Sequence, residues 1–422
     1  MTADVRIERD ALGSLEVPAG ALWGIQTERA RRNFPISGLG PLPGFVDAVV
    51  RLKRAAALAH QALGTLDDTR AGAIVRAADE VLAGQHRDQF VVDPYQAGAG
   101  TSHHMNVNEV LANRANELLG AARGAYDPVH PNDHVNQGQS TNDVIPTAIR
   151  LAVLAAFSSF DASAAELEQA LADRGRAFDD VIKAGRTHLQ DAMPIRLGQE
   201  FAAYAGTVSR SRQRLARALD DLRDLGIGGT AVGTGVNTEP GYAARVVQQL
   251  RADTGLAVRE GADRVQLMQS MGDVAAFHAM LRVFAADVSK IASDLRLLAS
   301  GPRTGLDEIH LPAVQPGSSI MPGKVNPSIP EMVNQVCLQV IGNDATVSAA
   351  AEQGQLELNV MMPVIAHNVL FSLTILGNAV RVLAERCVEG IEANREQAAY
   401  WVERSAALVT ALAPAIGYAK AA

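Results

Sequence analysis

Residues 274–298 read VAAFHAMLRVFAADVSKIASDLRLL. Large apolar side chains fall at Val274, Phe277, Leu281, Phe284, Val288, Ile291, Leu295 and Leu298, in alternating steps of three and four with no polar residue in the series. That spacing is the seam of a helix packed lengthwise against other helices, and it predicts a long bundle helix. Upstream, Phe201, Tyr204, Val208, Ser211, Leu215, Ala218, Leu222 and Leu225 repeat the pattern and predict a helix over 201–225. Downstream, Ser328 and Glu331 read as a capping box around Pro330, opening a helix towards Val347, and another is predicted over 360–386. Ile149, Val153, Ala156 and Phe160 predict a helix over 142–171, with Pro146 in its first turn or at a kink. No alternation of strands and helices suggests a parallel sheet. The reading is an all-α (mainly α) chain. A central long-helix bundle over 141–394 follows a smaller, mostly helical region over 1–140 and precedes a short helical segment over 395–422.

Composition agrees. Of 422 residues, 48% are hydrophobic and 20% charged, which excludes a disordered chain, and an aromatic content of 4% favours helices over sheets. Thirty-eight basic residues against 46 acidic ones give a net charge of −8 with no basic block, which argues against nucleic acid or an anionic membrane as partner. Cys337 and Cys387 sit in apolar helical runs and read as reduced core residues of a cytoplasmic protein. The opening MTADVRIERD lacks the apolar run of a targeting segment. The most apolar stretch, 360–376, is broken by Pro363, His367 and Asn368, so it reads as a buried helix and not a membrane span.

Between the helices lie five segments dense in Gly, Pro, Ser, Thr and Asn: 96–108, 130–143, 184–194, 226–240 and 313–328. All but the fourth precede a predicted helix. Helix starts offer unpaired N–H groups and the positive dipole end, an arrangement suited to carboxylates. Several sharper motifs fail. GSSIMPGK at 317–324 has five residues between its glycines and Val325 after its lysine, so it is not a phosphate-binding loop. GGTAVGTG at 228–235 has no strand before it, as a dinucleotide site requires. His103–His104 and the His130/His134 pair lack a third ligand, so no metal site is expected.

Taken together the segments resemble the aspartase/fumarase superfamily, most nearly aspartate ammonia-lyases. The signature is GSSIMPGKVNP at 317–327, joined by GAGTS at 98–102, HPNDHVNQGQSTND at 130–143, GRTHLQDAMP at 185–194 and GGTAVGTGVNT at 228–238. The similarity runs in order along essentially the whole chain. It implies a three-domain, mainly helical fold divided at 1–140, 141–394 and 395–422, the last domain being partial. It also implies a homotetramer whose active sites are shared between subunits, and a small dicarboxylate substrate.

The chemistry implied is removal of a group from a succinyl skeleton to give fumarate without a cofactor. Taking a proton from the carbon beside a carboxylate builds a doubly charged aci-carboxylate, which needs preorganised donors and a cation. The resemblance assigns the base to Ser318, whose alkoxide needs support from Lys324 and loop N–H groups. Lys324, Asn326 and Thr187 are implied for the α-carboxylate, and Thr101, Ser140, Thr141 and Ser319 for the β-carboxylate. Asn142 and His188 are implied for the leaving group, and His130, Asn132 and Asp133 for a second carboxylate site.

DQFVVDPYQAGAGTS at 88–102 and Thr141 in QSTND are similar to aspartate ammonia-lyases, whereas HPND matches fumarases. Deamination of L-aspartate is therefore the expected reaction, with hydration of fumarate as the alternative. Three departures leave room for an N-substituted aspartate or another amine: His103–His104 after Ser102, Gly138 in place of a common Ser, and Met362 in place of a common Glu. A non-catalytic structural homologue is the remote alternative, disfavoured by retention of Ser318, Lys324, Asn326, Thr187 and His188.

Overall fold

The computed structural model describes residues 4–421. Its elements begin with a hairpin, β1 (Val5–Asp10) and β2 (Gly13–Pro18), followed by α1 (Ile25–Asn33), α2 (Pro43–Ala62), α3 (Asp68–Leu82), α4 (Thr101–Leu118) and α5 (Thr141–Ala177). A second hairpin, β3 (Ile182–Thr187) and β4 (Gln190–Arg196), leads into α6 (Leu197–Ala218), α7 (Tyr242–Thr254), α8 (Arg264–Gln269) and α9 (Gly272–Leu298). The chain continues through α10 (Ser328–Glu352), α11 (Met362–Arg386), α12 (Arg395–Arg404) and α13 (Val409–Ile416). Two further strand pairs are only two residues long, 224–225 with 259–260 and 309–310 with 392–393. The architecture is mainly α, as the helical spacing predicts.

Two compact units are present. One takes residues to 157 with 218–279 and 343–372; the other takes 158–217, 280–342 and the chain from 373. Helices α5, α9, α10 and α11 each contribute residues to both. In the first unit α2 packs on α3 and α7, and α3 on α4. Phe157 of α5 meets Phe277 of α9 edge-to-face at 6.1 Å. His278 is fully buried there, with Nδ1 2.9 Å from Asp344 Oδ1 and Nε2 2.9 Å from Ser372 Oγ, so its polar atoms are satisfied inside the core. In the second unit Phe160 meets Phe284 at 5.2 Å, and Tyr204 and Ser211 of α6 donate to Asp294 and Asp287 of α9. Every residue of the α9 seam is buried, none more than 6% exposed.

The most apolar stretches of α5 and of segment 362–390 have the length and composition of membrane spans, yet 78% and 67% of them lie inside the fold. They are core helices, as read for 360–376.

Three local expectations need correction. The helix predicted over 201–225 ends at Ala218; Leu222 and Leu225 stay buried on a 3-10 turn and a short strand. Periodic burial alone does not hold the chain helical where Asp220, Asp221, Asp224 and Gly226 favour turns. The capping box at Ser328 does not form: Glu331 N donates to the Pro327 carbonyl at 3.1 Å, and the Ser328 hydroxyl turns back to the Asn326 carbonyl. Residues 184–194 are not a loop entering a helix but most of the β3–β4 hairpin.

Candidate active site

In the first unit the starts of α4 and α5 converge. Residues 98–100, just before α4, all have positive φ (59°, 56° and 100°), and a Cβ on Gly100 would lie 3.1 Å from Ile145 of α5. Only glycine suits that position, both for its backbone angle and for its approach to the neighbouring helix. Thr101 opens α4 and donates to the Gly98 carbonyl at 2.6 Å. One turn on, His104 Nδ1 lies 2.8 Å from the hydroxyl of Thr141, the first residue of α5. Two positive helix ends therefore lie within the reach of one imidazole.

Ser140 caps α5. Its Oγ accepts from Asn142 N at 3.2 Å, while Asp143 Oδ1 accepts from Ser140 N at 2.9 Å. The other oxygen of Asp143 accepts from the N–H groups of Gly228 and Thr230, both at 3.0 Å, tying the 228–230 turn to the helix. Burial raises the Asp143 carboxyl to about 6, against the lowering effect of these backbone donors and of Lys53. Asn142 donates to the Ala231 carbonyl at 2.8 Å. Neither imidazole of the His103–His104 pair faces solvent. His103 is buried against Phe45, ring centroids 4.8 Å apart, and burial lowers its pKa to about 4. His104 is also buried, and its Nε2 lies 2.6 Å from the Nζ of fully buried Lys53.

The second unit carries the other candidates. Thr187 and Gln190 close the β3–β4 hairpin, leaving His188 and Leu189 as its two-residue turn. Their φ values are 54° and 60°, a conformation that usually calls for Asn-Gly and costs about 1–3 kcal/mol per residue with a side chain. His188 is exposed at this tip. An ionic cluster anchors the base of the hairpin. Lys183 Nζ lies 2.8 Å from Glu200 and 3.0 Å from Glu308, and Arg186 lies 2.9 Å from Glu308, whose side chain is completely buried.

The 317–326 loop closes at its neck. Gly317 N donates to the Lys324 carbonyl and Asn326 Nδ2 to the Gly317 carbonyl, both at 2.7 Å. Ser318 Oγ accepts from the N–H groups of Ile320 at 3.2 Å and Met321 at 3.0 Å. Ser319 and Lys324 are exposed and line, with Ser318, an open cup of about 530 Å³ formed by residues 313–325. A Cβ on Gly317 would lie 2.7 Å from Asn326 N and 2.8 Å from the Lys324 carbonyl oxygen. Gly317→Ala is therefore expected to open the neck and lower kcat/KM by about a hundredfold through misplacement of Ser318. Melting temperature should barely change, because the loop is exposed; kinetics and thermal denaturation together check this.

The His130 segment forms a short π-helical turn, Pro131–Val135. His130 Nδ1 accepts from Asn132 N and Asp133 N, both at 3.2 Å, so two N–H groups that an anion would seek are engaged, while Asn132 and Asp133 themselves are exposed. Among the described residues no three His, Cys, Asp or Glu side chains are grouped to hold a metal ion.

A family model described as Lyase matches residues 13–342. The chain belongs to the aspartase/fumarase superfamily of lyases. An aspartate ammonia-lyase of a Bacillus species is 48% identical over 422 residues, covering all of this chain and 90% of the relative. A class II fumarate hydratase of Ralstonia nicotianae is 49% identical, with 99% of this chain and 91% of the relative covered. A solved structure of "fumarate lyase:delta crystallin" from Brucella melitensis, bound to cobalt, matches with a TM-score of 0.96 at 50% identity over 99% of this chain and 91% of that one.

The structure places Ser140, Thr141 and Asn142 at the start of α5, Thr187 and His188 at the hairpin tip and Ser318, Ser319, Lys324 and Asn326 on the 317–326 loop, and it adds residues behind them that the motifs do not name. Asp143 was legible as the fourth residue of an S-x-x-D cap. Lys53 and Glu308 carried no local signal.

Proposed function

We propose that the chain deaminates L-aspartate reversibly to fumarate and ammonia. The observation that supports its proton-abstraction step, which loss of ammonia and loss of water share, is the Ser318 hydroxyl, whose oxygen already accepts two backbone N–H bonds within a loop that also presents Lys324. Fixed donors of this kind stabilise an alkoxide, and only as an alkoxide is serine strong enough to take a proton beside a carboxylate. Ser318 removes the C3 proton of aspartate. The resulting aci-carboxylate is held by Thr101, Ser140, Thr141 and Ser319, with the paired helix starts of α4 and α5 supplying positive potential. Lys324, Asn326 and Thr187 hold the α-carboxylate, and Asn142 and His188 face the amine. An ammonium group departs as neutral ammonia with no further proton, so deamination asks less of His188 than loss of water does. The assembly proposed is a cytoplasmic homotetramer whose subunits share active sites.

Aspartate is favoured by the 88–102 segment and Thr141. Water as leaving group is the second reading, favoured by the HPND turn at 130–133 and by class II fumarate hydratases 47–51% identical to this chain. Running the reaction backwards separates them. Fumarate with ammonium should give aspartate, detected by proton NMR. Malate as the faster product would support the second reading, and preferential addition of methylamine would point to an N-substituted aspartate.

A further inference from the structure

We propose that Lys53 and His104 are positioning residues that hold the Thr141 hydroxyl as a hydrogen-bond donor towards the substrate's carboxylate, an inference that rests on Thr141 being a carboxylate ligand. Lys53 is fully buried behind His104. Its Nζ has three partners: His104 Nε2 at 2.6 Å, and Asn136 Oδ1 and Gln139 Oε1, both at 2.8 Å. The two amides cannot be turned over. Asn136 Nδ2 donates to the Gln139 carbonyl at 3.3 Å, and Gln139 Nε2 donates to the carbonyls of Val135 and Gln137 at 3.1 Å, so both amide oxygens must face Lys53. An ammonium group places two protons on those oxygens and its third on His104 Nε2.

A neutral imidazole that accepts at Nε2 carries its own proton on Nδ1. That proton points at Thr141 Oγ, 2.8 Å away. The hydroxyl oxygen then accepts from behind, and its single proton is left to point away from His104. Lys53 and His104 are at most 1% exposed, so bulk water does not compete for these directions. The opposite direction would follow from an uncharged Lys53. Its lone pair would take a proton from Nε2, Thr141 would donate inwards to Nδ1, and only lone pairs would face a carboxylate. Burial lowers the proton affinity of Lys53 well below its ordinary value, and the negative charge of Asp143 opposes that effect. A bound carboxylate selects the ammonium form, because only that form offers it a proton. His104 thus gives Thr141 a fixed polarity while touching no substrate atom.

The test is a double-mutant cycle on kcat/KM for L-aspartate, repeated with L-malate so that the choice of leaving group does not enter. Thr141→Val and His104→Ala should each lose about ten- to a hundredfold, the worth of one hydrogen bond to a charged group. The double variant should be no worse than Thr141→Val by more than about twofold, because both changes remove the same bond. His104→Gln can accept from Lys53 and donate to Thr141 through its amide, and should recover most of the loss. Lys53→Met, which keeps the bulk of the side chain, should couple to Thr141→Val in the same way and covers the case in which His104→Ala fails to fold. Multiplicative losses in both cycles, or a His104→Gln variant as poor as His104→Ala, would overturn the positioning role while leaving Thr141 as a ligand. No loss in Thr141→Val would remove the ligand role itself, and the inference with it.

Discussion

Ser318→Ala is expected to lower kcat by about 10³-fold, within the range lost when a positioned general base is removed. The fold should survive. The neck of the 317–326 loop is held by Gly317 N to the Lys324 carbonyl and by Asn326 Nδ2 to the Gly317 carbonyl, neither of which uses the Ser318 side chain. What disappears is the oxygen that accepts from Ile320 N and Met321 N. Those donors are then free for water, since both residues are exposed. Binding of fumarate, which has no proton for the base to take, should change little. Steady-state kinetics with a fumarate-binding titration check the split. Turnover close to that of the unaltered chain would remove Ser318 from the mechanism.

Glu308→Ala should produce the largest loss of stability, about 3–5 kcal/mol, as for a buried ion pair broken on one side. Glu308 is fully buried, and it lies 3.0 Å from Lys183, itself almost completely buried, and 2.9 Å from Arg186. Removing its charge leaves Lys183 with Glu200 alone and deprives Arg186 of its carboxylate. The damage should spread to the hairpin that carries His188, because both cations sit on β3. Its turn is already strained by two left-handed residues with side chains, so a weakened base leaves less to hold it. Denaturant melts of the variant beside the unaltered chain check the figure. A loss below about 1 kcal/mol would mean that the cluster behaves like an exposed surface pair.

The bundle could be read in the sequence because its signal is periodic and local. The α9 seam repeats at 3.5 residues for seven turns, and no strand or loop gives that spacing. The β3–β4 hairpin was not legible. Its turn is His188–Leu189, without the Asn-Gly or Gly that marks a two-residue turn, and residues 184–194 alternate poorly between polar and apolar. Helix α6 ends before its spacing does for a related reason: Leu222 and Leu225 continue the spacing and stay buried, but on a backbone that is no longer helical.

For the site, the residues meant to touch substrate lie in motifs, whereas Lys53, His104 and Glu308, which stand behind them, do not. Gly317, Lys324 and Asn326 are ten residues apart or fewer, and the neck they form follows from the glycine. The partners of Thr141 lie far away in sequence: His104 is 37 residues before it and Lys53 a further 51. His104 stood out only as a departure after Ser102. Nothing local shows that it faces inwards, because its partners, Lys53 of α2 and Thr141 of α5, come from distant parts of the chain.

Formation of fumarate from L-aspartate, followed by ultraviolet absorbance beside an equal concentration of L-malate, decides between ammonia and water as the leaving group. Fumarate should form from aspartate at a kcat/KM at least about tenfold above that for malate, a difference of ~1.4 kcal/mol in transition-state stabilisation. Fumarate from malate alone, or from neither substrate, would contradict aspartate deamination.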